Sequence, residues 1–170
     1  MLRGYIGHKN KMPRNIEVVE INLNSSIQIK SSAETIFEVV SNHVGTPNWV
    51  EKVKHVSLLK DGKTVNGLGT IRKVVFKPLF WTTVEEEVVS YTENEHFHYK
   101  VISKMPGLIE HLGKWEVVPM ENDIVEVHWK VYFKFKKKHW FKFFMNSFSE
   151  SFKSVQEEAL AKLKEQLAKA

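Results

Sequence analysis

Five side chains hold the chemistry that this sequence can offer: Glu86, Arg72, His111, Tyr99 and Lys54. Glu86 shares a strand face with Val84 and Val88, while Glu85 and Glu87 face the other way. A carboxylate on an apolar face must be paired, hydrated or neutralised, because desolvation disfavours its charge. Such a group can anchor a ligand, move a proton as a general acid or base, or close a structural ion pair. Arg72 is the natural partner. If it faces inward, its planar fork can clamp a carboxylate or an enolate oxygen; if outward, it is a surface or strand-pair arginine. Lys54, in phase with Val56 and Leu58, poses the same choice between a cavity cation and an exposed strand end. His111 shares a face with Gly113 and Trp115 and can bond a ligand, shuttle a proton or sit as a satisfied core histidine. Tyr99, between Phe97 and Val101, can offer its hydroxyl to a ligand or to a buried partner.

Other chemistries have less to stand on. With no cysteine there is no disulfide, thiolate metal site or cysteine nucleophile. His96 and His98 share a strand face, but it reads as solvent-facing and no third ligand is spaced to join them, so no metal is expected. Gly67 and Gly69 are not followed by a Lys-Ser/Thr helix start, which argues against a phosphate loop. No serine–histidine–acid arrangement has a recognisable context. No cofactor is implied.

These residues must be placed by elements whose pattern is clear. Residues 16–30 alternate as a strand. Ser31-Ser32-Ala33-Glu34 reads as a capping box for a short helix through Ile36, Phe37, Val39 and Val40. Pro47, with Thr46 as cap, opens a second short helix holding Trp49. Six further strands follow: Lys54–Lys60, Thr70–Phe76, Trp81–Tyr91, one carrying Phe97, Tyr99 and Val101, Ile109–Val118, and Ile124–Phe135. The last thirty or so residues form a helix with a bulky stripe, including Phe141, Phe144, Phe148, Val155, Ala159 and Leu163. Its onset lies at Phe141 or, if Asn146-Ser147 caps it, one turn later. The order predicts an α+β fold: a curved antiparallel seven-stranded sheet around a long C-terminal helix, with two short helices after the first strand. A curved sheet under one lid helix leaves room for a cavity, lined by Glu86, Tyr99, His111, Trp115, Trp129, Arg72, Lys54, Phe144 and Phe148.

At this point the chain resembles the SRPBCC superfamily, whose helix-grip fold is shared by START-like lipid carriers and polyketide cyclase/dehydrase-like proteins. The carrying segments are Ile27-Gln28-Ile29 with Ser32 to Phe37, Thr46-Pro47-Asn48-Trp49, Gly67-Leu68-Gly69-Thr70-Ile71-Arg72, Glu86 to Tyr91, and the final helix. The resemblance spans roughly residues 19–168. It implies a hydrophobic small molecule or lipid bound in an internal cavity. Only some members are enzymes; a cyclase or dehydrase would use Glu86 or His111 as acid or base and Arg72 to stabilise an enolate. The hormone-receptor branch carries Pro- and His-containing gate and latch loops, which Lys77-Pro78-Leu79-Phe80 and Met105-Pro106-Gly107-Leu108 do not match.

The net charge of +5 is unevenly spread. Residues 1–16 carry +4 and residues 127–149 carry +6, whereas residues 17–126 sum to −5. Residues 1–14 read as a flexible basic extension and 15–170 as a single domain. The basic aromatic stretch 130–148 reads either as a strand and helix with solvated lysines or as a surface for transient contact with anionic lipid. Basic charge alone is no nucleic-acid motif. The N-terminus lacks the apolar core of a signal peptide and no run is long enough to span a membrane, so a cytoplasmic location is expected.

Overall fold

The computed structural model describes residues 17–77, 83–137 and 141–169. The predicted extension 1–14, Trp81 and the loop at Pro78 to Phe80 lie outside them. Strand β1 (Val18–Lys30) leads into α1 (Ala33–Ser41) and a short 3-10 helix, His43–Asn48. Strands β2 (Val53–Lys60), β3 (Ile71–Phe76), β4 (Thr83–Thr92), β5 (His96–Val101), β6 (Leu108–Pro119) and β7 (Ile124–Lys136) follow, and α2 (Phe141–Leu167) ends the chain. All seven strands form one antiparallel sheet in the order β1-β7-β6-β5-β4-β3-β2. It is the helix-grip arrangement that the pattern predicts.

Local sequence explains the elements. In β7, Val125, Val127, Trp129, Val131, Phe133 and Phe135 are buried and alternate with partly exposed residues, as one covered sheet face requires. Strands β6 and β7 join through Asn122 and Asp123, both at positive φ (60° and 57°). Asparagine and aspartate tolerate the left-handed region that such a tight hairpin turn demands. Helix α2 begins at Phe141, the earlier of the two predicted starts. It lies across the sheet with Ala159, Leu160 and Leu163 buried. Gln156 fixes its position: its Nε2 donates to the Trp129 carbonyl at 2.8 Å, and its Oε1 faces Ser25 Oγ at 3.5 Å.

Two local predictions are corrected. Ser32 alone caps α1, accepting from Thr35 N–H at 3.1 Å. A capping box needs its acid three residues after the cap, and Thr35, not Glu34, stands there. The second short helix starts at His43 rather than at Pro47, with Asn42 Oδ1 accepting from Gly45 N–H at 3.1 Å.

Candidate functional site

Six of the predicted residues meet at one place. Arg72, Glu86, Tyr99, His111, Trp115 and Trp129 all line a cavity of about 90 Å³ between the sheet and α2. Most of its wall is apolar: Val53, Val56, Val74, Val84, Phe97 and Phe133 from the sheet, Val40 from α1, and Phe152 and Val155 from α2. Thr46, Phe76, Val101, Met105, Phe152 and Val155 of its lining stay partly exposed. The strands deliver the polar groups by register. Arg72 on β3 stands directly opposite Glu86 on β4, Tyr99 on β5 opposite Gly113 on β6, and His111 on β6 opposite Phe133 on β7.

Arg72 faces inward and pairs with Glu86. Its Nε–H and Nη2–H both reach Glu86 Oε2, each at 2.8 Å, with both side chains only 8% exposed. The guanidinium also lies over the Tyr99 ring, 4.7 Å from its centroid, where the ring's negative face attracts it. Burial raises the Glu86 pKa, and Arg72 pulls against that rise through charge and hydrogen bonding. Two guanidinium N–H groups on one oxygen are the geometry of a carboxylate.

His43, which the sequence reading did not single out, completes the arrangement. It is fully buried. Its Nδ1 lies 2.7 Å from Arg72 Nη1, which can only donate, so Nδ1 accepts and the ring proton resides on Nε2. That proton goes to the Asn66 carbonyl at 3.0 Å. Burial first, and then the charge of Arg72, push the His43 pKa down to about 2, so the ring stays neutral. Asn66 adopts φ 64° in the tight loop before β3, and Gly69 follows at φ 87°. Gly67 and Gly69 thus belong to the turn that brings a backbone carbonyl to His43. No periodic signal marks His43, because it begins a 3-10 helix and its partner is 23 residues away.

Tyr99 and His111 are also held. Trp129 Nε1–H donates to the Tyr99 hydroxyl oxygen at 3.1 Å. Burial raises the tyrosine's pKa, and the Glu86 charge adds to this. The Tyr99 ring lies flat across Gly113, where a Cβ would come within 2.1 Å of the ring. Glycine is required there for that close approach. His111 Nδ1 accepts from Val101 N–H at 3.2 Å, which places the ring proton on Nε2. Burial, then Arg72, lower the His111 pKa to about 4.

Two predicted positions, Lys54 and Phe148, fall elsewhere, and a third, Phe144, lies outside the described side chains. Lys54 is exposed and away from the cavity. An irregularity between Val53 and His55 breaks the alternation of β2, so Val53 and Val56 are both buried and Lys54 is turned out. Phe148 is buried against Phe133 and Phe152 but does not line the cavity. Trp49, not among the predicted lining residues, also lines the cavity, edge-on to Trp115.

On the outer face, His96 and His98 stack at 4.7 Å between ring centroids. Among the described residues no group of three histidine or acidic side chains is placed to hold a metal. In the basic stretch, Phe133 and Phe135 point into the core, and Lys130, Lys134 and Lys137 pair with Glu116, Glu20 and Glu17. Among the described residues no helix is long and apolar enough to cross a membrane.

Comparison with known proteins agrees with this architecture. The family model described as polyketide cyclase / dehydrase and lipid transport matches residues 20–168. A truncated norcoclaurine synthase from Thalictrum flavum superposes with a TM-score of 0.70 at 16% identity, covering 92% of this chain and 98% of that one. A START superfamily protein from Mycobacterium smegmatis gives 0.69 at 15% identity, covering 86% and 98%. Ginseng major latex-like protein 151 from Panax ginseng gives 0.65 at 13%, covering 86% and 97%. At such identities the likeness is one of fold. A search of curated proteins gave no match.

Proposed function

The chain belongs to the polyketide cyclase / dehydrase and lipid transport family, and we propose that within it this protein is a binder of a small hydrophobic molecule held between sheet and α2. One observation carries the reading: the cavity wall is apolar except for Thr46 and one group of polar side chains, Arg72, Glu86, Tyr99 and His111. Such a site gains affinity from burying apolar ligand surface, and its few polar groups fix orientation. The volume of about 90 Å³ is far too small for a whole diacyl lipid and below the roughly 150 Å³ that holds a benzene, so it suits a short chain, and a single ring enters only as the wall yields slightly. A larger ligand must displace the partly exposed wall at Met105, Phe152 and Val155.

A cyclase or dehydrase role would draw on the same residues. It has less support, because Arg72 bonds both Glu86 and His43, so the charged pair that a proton transfer would draw on is already closed on itself. A membrane-docking role through 130–148 is weakened by the ion pairs that occupy three of its lysines. The 1–14 extension, the single-domain reading and a cytoplasmic location stay proposals of the sequence alone.

The test fills the cavity. Val84 is buried on the wall, so Val84→Phe should take up the ligand's space. Binding of one-ring aromatic probes, measured by calorimetry on the full chain, is expected to weaken at least about tenfold, roughly 1.4 kcal/mol. Circular dichroism confirms the fold in the same sample. Unchanged affinity in a folded variant, or no binding by the native chain, overturns the proposal.

A further inference from the structure

The polar end of the cavity has unused hydrogen-bonding capacity, and it is unbalanced. Tyr99 accepts from Trp129, so its own O–H remains to donate, and no acceptor among the described residues takes it. His111 is fixed with its proton on Nε2, and no acceptor among the described residues takes that proton either. Trp49 lines the same cavity, and its Nε1–H is buried with no partner among the described residues. Against these three donors stand the Glu86 carboxylate and, elsewhere on the wall, the Thr46 hydroxyl, which can itself both donate and accept. Glu86 Oε2 takes both bonds from Arg72, and Oε1 is left without a partner among the described residues. A donor sealed from solvent without an acceptor, as Trp49 Nε1–H is, costs about 1–3 kcal/mol. A ligand that brings an oxygen acceptor relieves this; a purely hydrocarbon ligand does not.

Charge decides the rest. The guanidinium of Arg72 and the carboxylate of Glu86 cancel, and His43 and His111 are neutral. The end of the cavity is therefore rich in donors but has no net charge. A buried carboxylate or ammonium on the ligand would find no free counter-ion there.

Resting on the ligand-binding reading above, we propose that the cavity selects a neutral one-ring or short-chain ligand whose carbonyl-type oxygen sits at the Tyr99 and His111 end. The Tyr99 and His111 rings are 5.6 Å apart between centroids, so both belong to one small recess. Each donor supplies a hydrogen bond of ordinary strength, and Arg72 over the Tyr99 ring makes the phenol a better donor.

The experiment compares four probes of nearly one size against the full chain at pH 7: ethylbenzene, acetophenone, benzoate and benzylamine. Calorimetry gives the affinities, and infrared spectroscopy follows the acetophenone carbonyl stretch. Acetophenone is expected to bind about tenfold more tightly than ethylbenzene, as one to two buried hydrogen bonds would give. Benzoate and benzylamine should bind more weakly than acetophenone, and the carbonyl stretch should move to lower frequency on binding. Tyr99→Phe should erase most of the ketone's advantage over ethylbenzene. The native ranking tests the idea even if that variant does not fold. Equal binding of ketone and hydrocarbon overturns this inference and leaves the hydrophobic-ligand reading intact. Tightest binding by benzoate or benzylamine overturns the neutral-ligand assignment. Binding of none of the four overturns both.

Discussion

The two faces of the sheet carry the same chemistry in opposite settings. Inside, Arg72 meets Glu86 across neighbouring strands, with His43 beside them, all nearly sealed from solvent. Outside, Lys130 meets Glu116, with His128, His96 and His98 around them, and the paired side chains remain 39% and 26% exposed. Water screens the outer group and lets each member stand alone. The inner group has no such reserve, so each member depends on the next: Glu86 on Arg72, Arg72 on His43, and His43 on the Asn66 carbonyl. Position in the sheet, rather than residue type, sets what each pair does.

The sharpest way to break the comparison is to delete one member of each pair. Glu86→Ala leaves a buried guanidinium without its carboxylate and should cost about 3–5 kcal/mol in urea unfolding. Glu116→Ala should cost under about 1 kcal/mol. The double replacement Arg72→Met with Glu86→Leu should recover most of the loss, because it removes both desolvated charges together. If Glu86→Ala costs no more than Glu116→Ala, the inner pair is not the coupled unit described here.

Gly113 gives the next contrast. It lies beneath the Tyr99 ring, and its outward neighbour Lys114 is only partly buried. Gly113→Ala must push the ring from its seat and away from Trp129, at about 1–3 kcal/mol, with loss of near-ultraviolet dichroism. Lys114→Ala should stay within about 0.5 kcal/mol of the native chain. A well-tolerated Gly113→Ala would mean that the sheet yields there more easily than the packing suggests.

These sites were unequally legible in the sequence. Two-residue periodicity gave the seven strands, because one covered face leaves the same mark along a whole strand, as β7 shows. Glu86 could be assigned to the inner face for that reason, while Arg72 could not, since β3 is apolar on both faces. Lys54 was misplaced because a single irregularity in β2 reverses the phase beyond it. His43 and Gly113 were missed as site residues for another reason. Their roles come from contacts across 29 residues, for His43 and Arg72, and across two paired strands, for Gly113 and Tyr99. No local pattern records such contacts.

Acid separates the faces by a third route. His43 and His111 are held neutral in the fold, at pKa values pushed down to about 2 and about 4. In the unfolded chain both regain an ordinary value near 6.5. Below that pH the unfolded state binds protons that the folded state refuses, so stability falls as pH drops through the window from 6.5 towards 4. Each histidine should contribute a slope of about 1 kcal/mol per pH unit there. Urea unfolding at pH 7, 6 and 5 reads it, and His111→Phe should remove about half of the slope from this pair. His98 on the outer face is also pushed down, chiefly by partial burial and then by His96, so His98→Gln serves as the outer control and should change the slope less. Equal effects of the two substitutions would erase the distinction.

The smallest expected effect tests the outer face on its own terms. Lys130 and Glu116 sit on β7 and β6, with His128 directly opposite Glu116 and Lys114 opposite Lys130. Lys114 thus competes with Lys130 for the Glu116 charge and repels Lys130 across the strands. A double-mutant cycle on Lys130→Ala and Glu116→Ala should return about 0.2–1 kcal/mol at low salt. The coupling should shrink towards zero at 1 M salt, where the screening length is about 3 Å. The same salt should hardly move the cost of Glu86→Ala, since ions cannot enter a pair that is 8% exposed. Salt dependence thus ranks the two pairs without any appeal to their geometry, and a salt-insensitive outer pair would show that the outer charges, too, are sheltered from solvent.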